Sequence, residues 1–117
     1  MENTNDPIQN MLMELRRGVI VLAVLSQLEE EQYGYSLLKR LSDQQMEIDQ
    51  GTLYPLLRRL ETQGLVQSSW RIVDEARPRR YYVISKQGRA ALTQLQREWE
   101  AMTASLQKML LPTKRTK

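Results

Sequence analysis

Residues 51–64 read Gly51-Thr52-Leu53-Tyr54-Pro55-Leu56-Leu57-Arg58-Arg59-Leu60-Glu61-Thr62-Gln63-Gly64. Wound into a helix, Leu53, Leu56, Leu57 and Leu60 fall on one side at the helical period. Gly51, Pro55, Arg58, Arg59 and Thr62 crowd the other side, so one face is apolar and the other carries two adjacent guanidinium groups. Gly64 stands where the left-handed residue that closes a helix is commonly needed. Such a helix can anchor in a core while turning its arginines toward phosphates and base edges. Taken alone, arginines merely solvated on a surface are the simpler reading, so the flanking segments decide.

Upstream, Ser42 to Gln50 is polar apart from Met46 and Ile48 and forms a connection, with Asp49 placed to cap the helix. Pro55 then lies beyond the first turn, which predicts either a local kink or a helix that starts nearer Gly51. Before the connection, Tyr33-Gly34-Tyr35 opens a shorter helix with Leu37, Leu38 and Leu41 as its buried stripe and Lys39 and Arg40 outside. Two helices so joined outline a helix-turn-helix. Glu29 to Gln32 reads as a solvated loop. A first helix starts at Asn5-Asp6-Pro7, Asp6 capping and Pro7 in the first turn. Ile8, Met11, Leu12, Leu15, Val19, Leu22 and Leu25 carry it to Leu28. Val19 to Leu25 is apolar nearly all round and is expected to be buried on most sides. Met11, Leu12 and Met13 are assigned to the core, with a second subunit as the alternative.

Downstream, Leu65 to Val73 and Arg79 to Ile84 have strand composition, and Asp74 to Pro78 is the turn between them. A two-stranded hairpin is not stable alone, so it is expected to lie against the helices as a wing over about 65–84. Its rim gathers Arg71, Arg77, Arg79 and Arg80 beside two tyrosines, and Trp70 is read as the hydrophobic joint between wing and helices. Ser85 can cap a last helix that runs to about Leu111 and closes at Pro112. Leu92, Leu95, Trp99, Met102, Leu106 and Met109 follow each other in alternating steps of three and four, a heptad seam suited to a second copy of the same helix. The expected organisation is a mainly α chain with a small β-hairpin. A winged helix-turn-helix domain spans residues 1–84, a dimerisation helix 85–111 and a basic tail 112–117.

The chain has 117 residues, no cysteine and no histidine. That removes disulfides, thiolate metal sites, the commonest general base and the commonest metal ligand, so no metal, cofactor or enzyme chemistry is expected. Ser–Lys or Tyr–Lys catalysis would need such a pair to be brought together, and no motif does so. The apolar run from Gly18 to Leu25 is too short to span a bilayer, and the acidic, polar N-terminus is no signal peptide, so a cytoplasmic setting is expected. Net charge is +3, and its distribution is uneven: residues 1–31 carry −4, 32–64 are neutral, 65–89 carry +4 and 90–117 carry +3. The positive charge behind the first helix favours a polyanion as partner.

Three of these motifs resemble the PadR family of bacterial transcriptional regulators in its short form. Tyr33-Gly34-Tyr35 with Leu37-Leu38-Lys39-Arg40-Leu41 resembles the family's second helix. Gly51 to Leu65 is close to its recognition-helix signature. Pro78-Arg79-Arg80-Tyr81-Tyr82 with Ile84 and Gly88 resembles the return strand of the wing and the start of the last helix. The resemblance covers roughly residues 12 to 111. It implies a winged helix-turn-helix fold, dimerisation through the last helix with help from the first, and repression at a near-palindromic operator. Some members release DNA on binding small aromatic or cationic hydrophobic ligands at an interface that carries a tryptophan, and Trp99 occupies a matching place.

From these readings, double-stranded DNA with an inverted-repeat operator is the expected partner of a homodimer. Thr52, Tyr54, Pro55, Arg58 and Arg59 are expected at base edges and nearby backbone. Tyr35, Ser36 and Lys39 are expected at phosphates, and Arg77, Arg79 and Arg80 on the wing. For Tyr54 and Tyr35 packing is the competing role; for Arg58 and Arg59 it is a phosphate clamp without sequence information. Trp99, with Met11, Leu95 and Met102 as neighbours, is the candidate effector site, and packing against its own symmetry mate is the alternative. A winged-helix protein-interaction module that never touches DNA remains the rival reading.

Overall fold

In the computed structural model, residues 6–72, 74 and 77–112 are described. The expected roles of Asn5, Val73, Glu75, Ala76 and the tail from Thr113 onward lie outside them. In chain order come α1 (Pro7–Ser26), β1 (Gln32–Tyr33), α2 (Gly34–Asp43), α3 (Gln50–Thr62), β2 (Val66–Arg71), β3 (Arg79–Ile84) and α4 (Lys86–Leu110).

The helix starts follow from their caps. Asp6 Oδ1 accepts the Ile8 N–H at 3.0 Å, and Pro7 fills the first position of α1. Asp49 Oδ1 accepts the Thr52 N–H at 2.8 Å, which fixes Gln50 as the first residue of α3. The helix continues through Pro55 as one segment, although the proline has no N–H to offer the Gly51 carbonyl. At the far end Gly64 adopts φ +82°. Its N–H donates to Glu61 O and that of Leu65 to Leu60 O, both at 2.9 Å, the paired bonds that satisfy the last carbonyls of a helix.

Leu53, Leu56, Leu57 and Leu60 are all buried, as their spacing demands. They meet Val24, Leu25 and Leu28 behind α1, Leu37 and Leu41 of α2, and Val66, Tyr82 and Ile84 of the strands. Each such side chain contributes roughly 1.5–3 kcal/mol by leaving water.

The wing differs from the expected hairpin. Its sheet has three antiparallel strands in the order β1-β3-β2. Gln32 pairs with Tyr82 and Tyr33 with Tyr81, although Gln32 falls at the end of the expected solvated loop and Tyr33 at the expected opening of the second helix. The free edge of β3 carries backbone groups that need partners, and two residues suffice to supply them while being too few to show an alternating pattern. The β2–β3 register runs from Val66↔Ile84 through Ser68↔Tyr82 to Trp70↔Arg80 and Arg71↔Arg79. Alternation therefore turns Val66, Ser68, Trp70, Arg80, Tyr82 and Ile84 to one face, and Gln67, Ser69, Arg71, Arg79, Tyr81 and Val83 to the other.

Two assignments change. Met11, Leu12 and Met13 are 63%, 44% and 62% exposed, so they are not core of this chain, and Val19 to Ala23 are only half-buried. Trp70 is 64% exposed and lies outside the hydrophobic core, so it is not the joint between wing and helices. It shares a face with buried Val66 but lies four residues, about 13 Å, further along the strand, beyond the cover of the helices. On α4, Leu95, Trp99, Met102, Leu106 and Met109 are all exposed. The Cα radius of gyration is 17.8 Å, against about 13 Å for a compact chain of about 100 residues, because α4 projects from the domain.

Candidate nucleic-acid interface

The outward face of α3 holds Thr52, Pro55, Arg58 and Arg59, all exposed. Among the described residues neither arginine has an ion-pair partner. Adjacent helical residues diverge by about 100°, and these two side chains line different clefts. Arg59 borders a cleft of about 510 Å³ between α1 and α3, with Arg16, Arg17, Leu12, Met13 and Pro55. There Arg16 Nη2 donates to Glu47 O at 2.8 Å and ties α1 to the α2–α3 connection. Arg58 borders a cleft of about 380 Å³ between the start of α2, α3 and the wing, with Tyr35, Tyr54, Trp70 and Arg79.

Tyr54 is half-buried and lies over Gly34, where a Cβ would overlap its ring. The glycine of Tyr33-Gly34-Tyr35 thus serves a close approach between helices rather than a turn. At the start of α2, Tyr35 is 61% exposed. The Ser36 hydroxyl is already engaged, accepting the Tyr33 N–H at 3.0 Å and donating to Gln32 Oε1 at 2.8 Å. Lys39 lies 3.5 Å from Asp43 in an exposed pair one turn away, a contact that contributes well under about 1 kcal/mol and leaves the ammonium available.

The wing arginines do not form one cluster; the register divides them between the faces of the sheet. Arg80 faces α3, where Nη2 donates to Glu61 Oε1 at 3.0 Å and Nε to Ser68 Oγ at 3.0 Å. Ser68 Oγ in turn donates to Glu61 Oε2 at 2.6 Å. On the opposite face Arg71 pairs with Glu31 and stacks 4.1 Å above the Tyr81 ring. Arg79 lies 4.3 Å above Tyr33. Exposed Arg77 stands at the hairpin tip. Burial pushes the Tyr82 phenol above its ordinary pKa, the Arg80 guanidinium partly opposing it, so it remains a neutral hydroxyl at physiological pH.

Residue pattern alone did not find Trp70, Glu61 or Gly34 as parts of this surface. Glu61 belonged to the helix signature without an assigned partner, and its partner Arg80 is nineteen residues away. Among the described residues no group of His, Cys, Asp and Glu could hold a metal ion. No helix among them is long and apolar enough to cross a membrane.

A family model for the transcriptional regulator PadR-like family matches residues 21–94, from the last third of α1 through the first turns of α4. This chain belongs to the PadR-like family of transcriptional regulators. It is 39% identical over 92 residues to a transcriptional regulator of Mycobacterium tuberculosis, covering 78% of this chain and 85% of that one. A solved PadR-family transcriptional regulator from Eggerthella lenta superimposes with a TM-score of 0.83 at 41% identity, over 93% of this chain and 96% of the other. A transcriptional regulator from Clostridium thermocellum gives 0.76 at 29% identity, over 84% and 99%. The PadR-like chain is therefore a transcriptional regulator with a winged-helix fold, and members of its family are not enzymes.

The surface as a whole presents guanidinium groups and aromatic rings from α2, α3 and the wing, supported from behind by one leucine-rich core. Of the sequence-derived candidates, Tyr35, Tyr54, Arg58, Arg79 and Arg80 line the wing-side cleft. Thr52, Pro55 and Arg59 line the other. Ser36, Lys39 and Arg77 line neither.

Proposed function

We propose that this PadR-like regulator binds an inverted-repeat operator as a homodimer and represses transcription by occupying it. One observation carries the reading: Arg58 and Arg59 stand exposed and, among the described residues, without acidic partners, on a helix whose opposite face, Leu53, Leu56, Leu57 and Leu60, is buried. Arg58 or Arg59 reads a guanine edge, an interaction worth about 1–3 kcal/mol of discrimination. Thr52, Tyr54 and Pro55 border the same groove. Tyr35 and Lys39 serve the phosphates at the start of α2, and Arg77 and Arg79 those beside the wing. Ser36 and Arg80 contribute less directly, because their polar groups are already engaged.

The unpartnered seam supports the dimer. Leu95, Trp99, Met102, Leu106 and Met109 on α4, with Met11, Leu12 and Met13 on α1, stand exposed, the kind of apolar surface that marks an interaction site, whereas Leu92, also expected in the seam, is half-buried against this chain's own core. Two copies joined there carry their recognition helices about one turn of DNA apart. Neither cleft of the single chain includes Trp99. Paired Trp99 rings, flanked by Met11, Leu95 and Met102, would create a flat slot suited to an aromatic or cationic hydrophobic effector.

The tests are direct. The protein is expected to elute as a dimer, with Leu106→Arg a monomer, and to shift DNA from upstream of its own gene but not scrambled DNA. With about six phosphates neutralised per dimer, affinity falls roughly a thousandfold between 50 and 200 mM salt. Unchanged operator binding by the Arg58→Ala, Arg59→Ala double variant sinks the assignment of α3. Ligand quenching of tryptophan emission that is lost in Trp99→Ala supports the slot. A monomer that binds no DNA favours a protein-interaction module.

A further inference from the structure

Trp70 is an indole outside the hydrophobic core, 64% exposed at the outer end of β2. It shares the sheet face that is turned to α3, and its cross-strand neighbour is Arg80, whose guanidinium lies 5.5 Å from the ring centre. Glu61 and Ser68 hold that guanidinium in place, so the indole has a fixed floor beneath it. Around the same cleft stand Tyr54, positioned by Gly34, and the exposed ring of Tyr35. Arg58 supplies positive charge, as does Arg79, which starts from the opposite sheet face and reaches the cleft over the Tyr33 ring, and among the described residues no carboxylate lines the cleft. Aromatic walls with guanidinium groups between them suit an anionic chain whose units also offer apolar faces. Arg58 belongs both to this cleft and to the outward face of α3, so whatever fills the one is continuous with what the other binds.

We infer that Trp70 is a DNA-contacting residue. The cleft between the start of α2, α3 and the wing receives one sugar-phosphate unit beside the segment read by α3. Trp70 packs flat on the deoxyribose, while Arg58 and Arg79 take the phosphate. The inference rests on the DNA-binding reading above. It extends that reading to a side chain that contributes affinity without contributing charge.

That combination has its own signature. Binding of a labelled mixed-sequence duplex of about two helical turns is measured by anisotropy across a salt series. Trp70→Ala is expected to weaken binding about tenfold with an unchanged log–log salt slope, and Trp70→Phe to recover most of the loss. Arg79→Ala is expected to lower the slope by about one. Saturating duplex quenches tryptophan emission in the parent but not in Trp70→Phe. Binding by Trp70→Ala within twofold of the parent, or equal quenching in the parent and in Trp70→Phe, overturns the assignment and leaves the DNA-binding reading standing. A parent that binds no duplex at low salt overturns both.

Discussion

Replacing Gly88 by alanine sets two effects of opposite sign against each other. Gly88 is the third residue of α4, in ordinary helical geometry, where alanine would gain about 1 kcal/mol in intrinsic helix preference. A Cβ there overlaps the carbonyl oxygen of Leu65 and comes within 2.7 Å of Ile84 Cγ1. The Leu65 carbonyl cannot simply retreat, because it accepts the Ser85 N–H at 3.0 Å. Ser85 is itself buried, and its hydroxyl accepts the Gly88 N–H at 2.9 Å and donates to Gly64 O at 2.7 Å. Overpacking costs about 1–3 kcal/mol, and weakening the Leu65 bond adds about 1 kcal/mol. Destabilisation by about 2 kcal/mol is the net result, since the propensity gain offsets only part. For a chain of this length that lowers the melting temperature by about 8 °C. Gly18→Ala is the control: it too lies within a helix, and its Cβ would meet nothing within 4 Å, so it should stabilise by about 0.5–1 kcal/mol. Circular dichroism melts at matched protein concentration read both, because a dimer's stability depends on concentration. If Gly88→Ala melts at or above the parent temperature, the close approach of α4 to the end of α3 is wrong.

Three further outcomes follow from the same geometry. Ser85→Ala removes the cap of α4 and the donor to Gly64, and should destabilise by about 1–2 kcal/mol in urea unfolding; a change within error would mean that neither bond matters. Glu61→Gln removes the charge that holds Arg80, in a pair with each side chain about a third exposed, so stability should fall by less than about 1 kcal/mol. Duplex affinity should rise severalfold as Arg80 becomes available, and weaker binding would show that Arg80 acts by being held. The raised pKa of Tyr82 predicts alkaline sensitivity. Above the unfolded value of 10.0 the unfolded chain releases a proton that the folded one retains, so this residue's contribution declines as pH climbs through the folded value. The stability difference between the parent and Tyr82→Phe should therefore be constant below about pH 9 and shift against the parent above about pH 10; a difference independent of pH refutes the shift.

Much of the fold was legible along the chain because it depends on neighbours within one turn. Asp6, Asp49 and Ser85 cap the helices at which they stand. The leucine spacing of α3 named its buried face, and Gly64 marked its end. The two longer strands could be read from composition, whereas β1 is two residues that pair only because β3 offers an edge. The family, too, could be recognised from three motifs. Met11 to Met13 were misplaced because helical periodicity states which residues share a face and not what that face meets.

By itself the sequence determined the order of elements, the helix caps, the leucine core and the arginines on the outer side of α3. Each of these is set by side-chain chemistry acting over a few residues. Tertiary structure alone decided that Arg58 and Arg59 enter different clefts, that Arg80 is held by Glu61 while Arg79 lies on the other side of the sheet, and that Trp70 meets water. Strand alternation assigns Trp70 to the face that packs on the helices. Where that helical cover stops depends on the length of α3 and the register of β2 on β3, and contacts between residues so far apart in the chain leave no local periodicity to read.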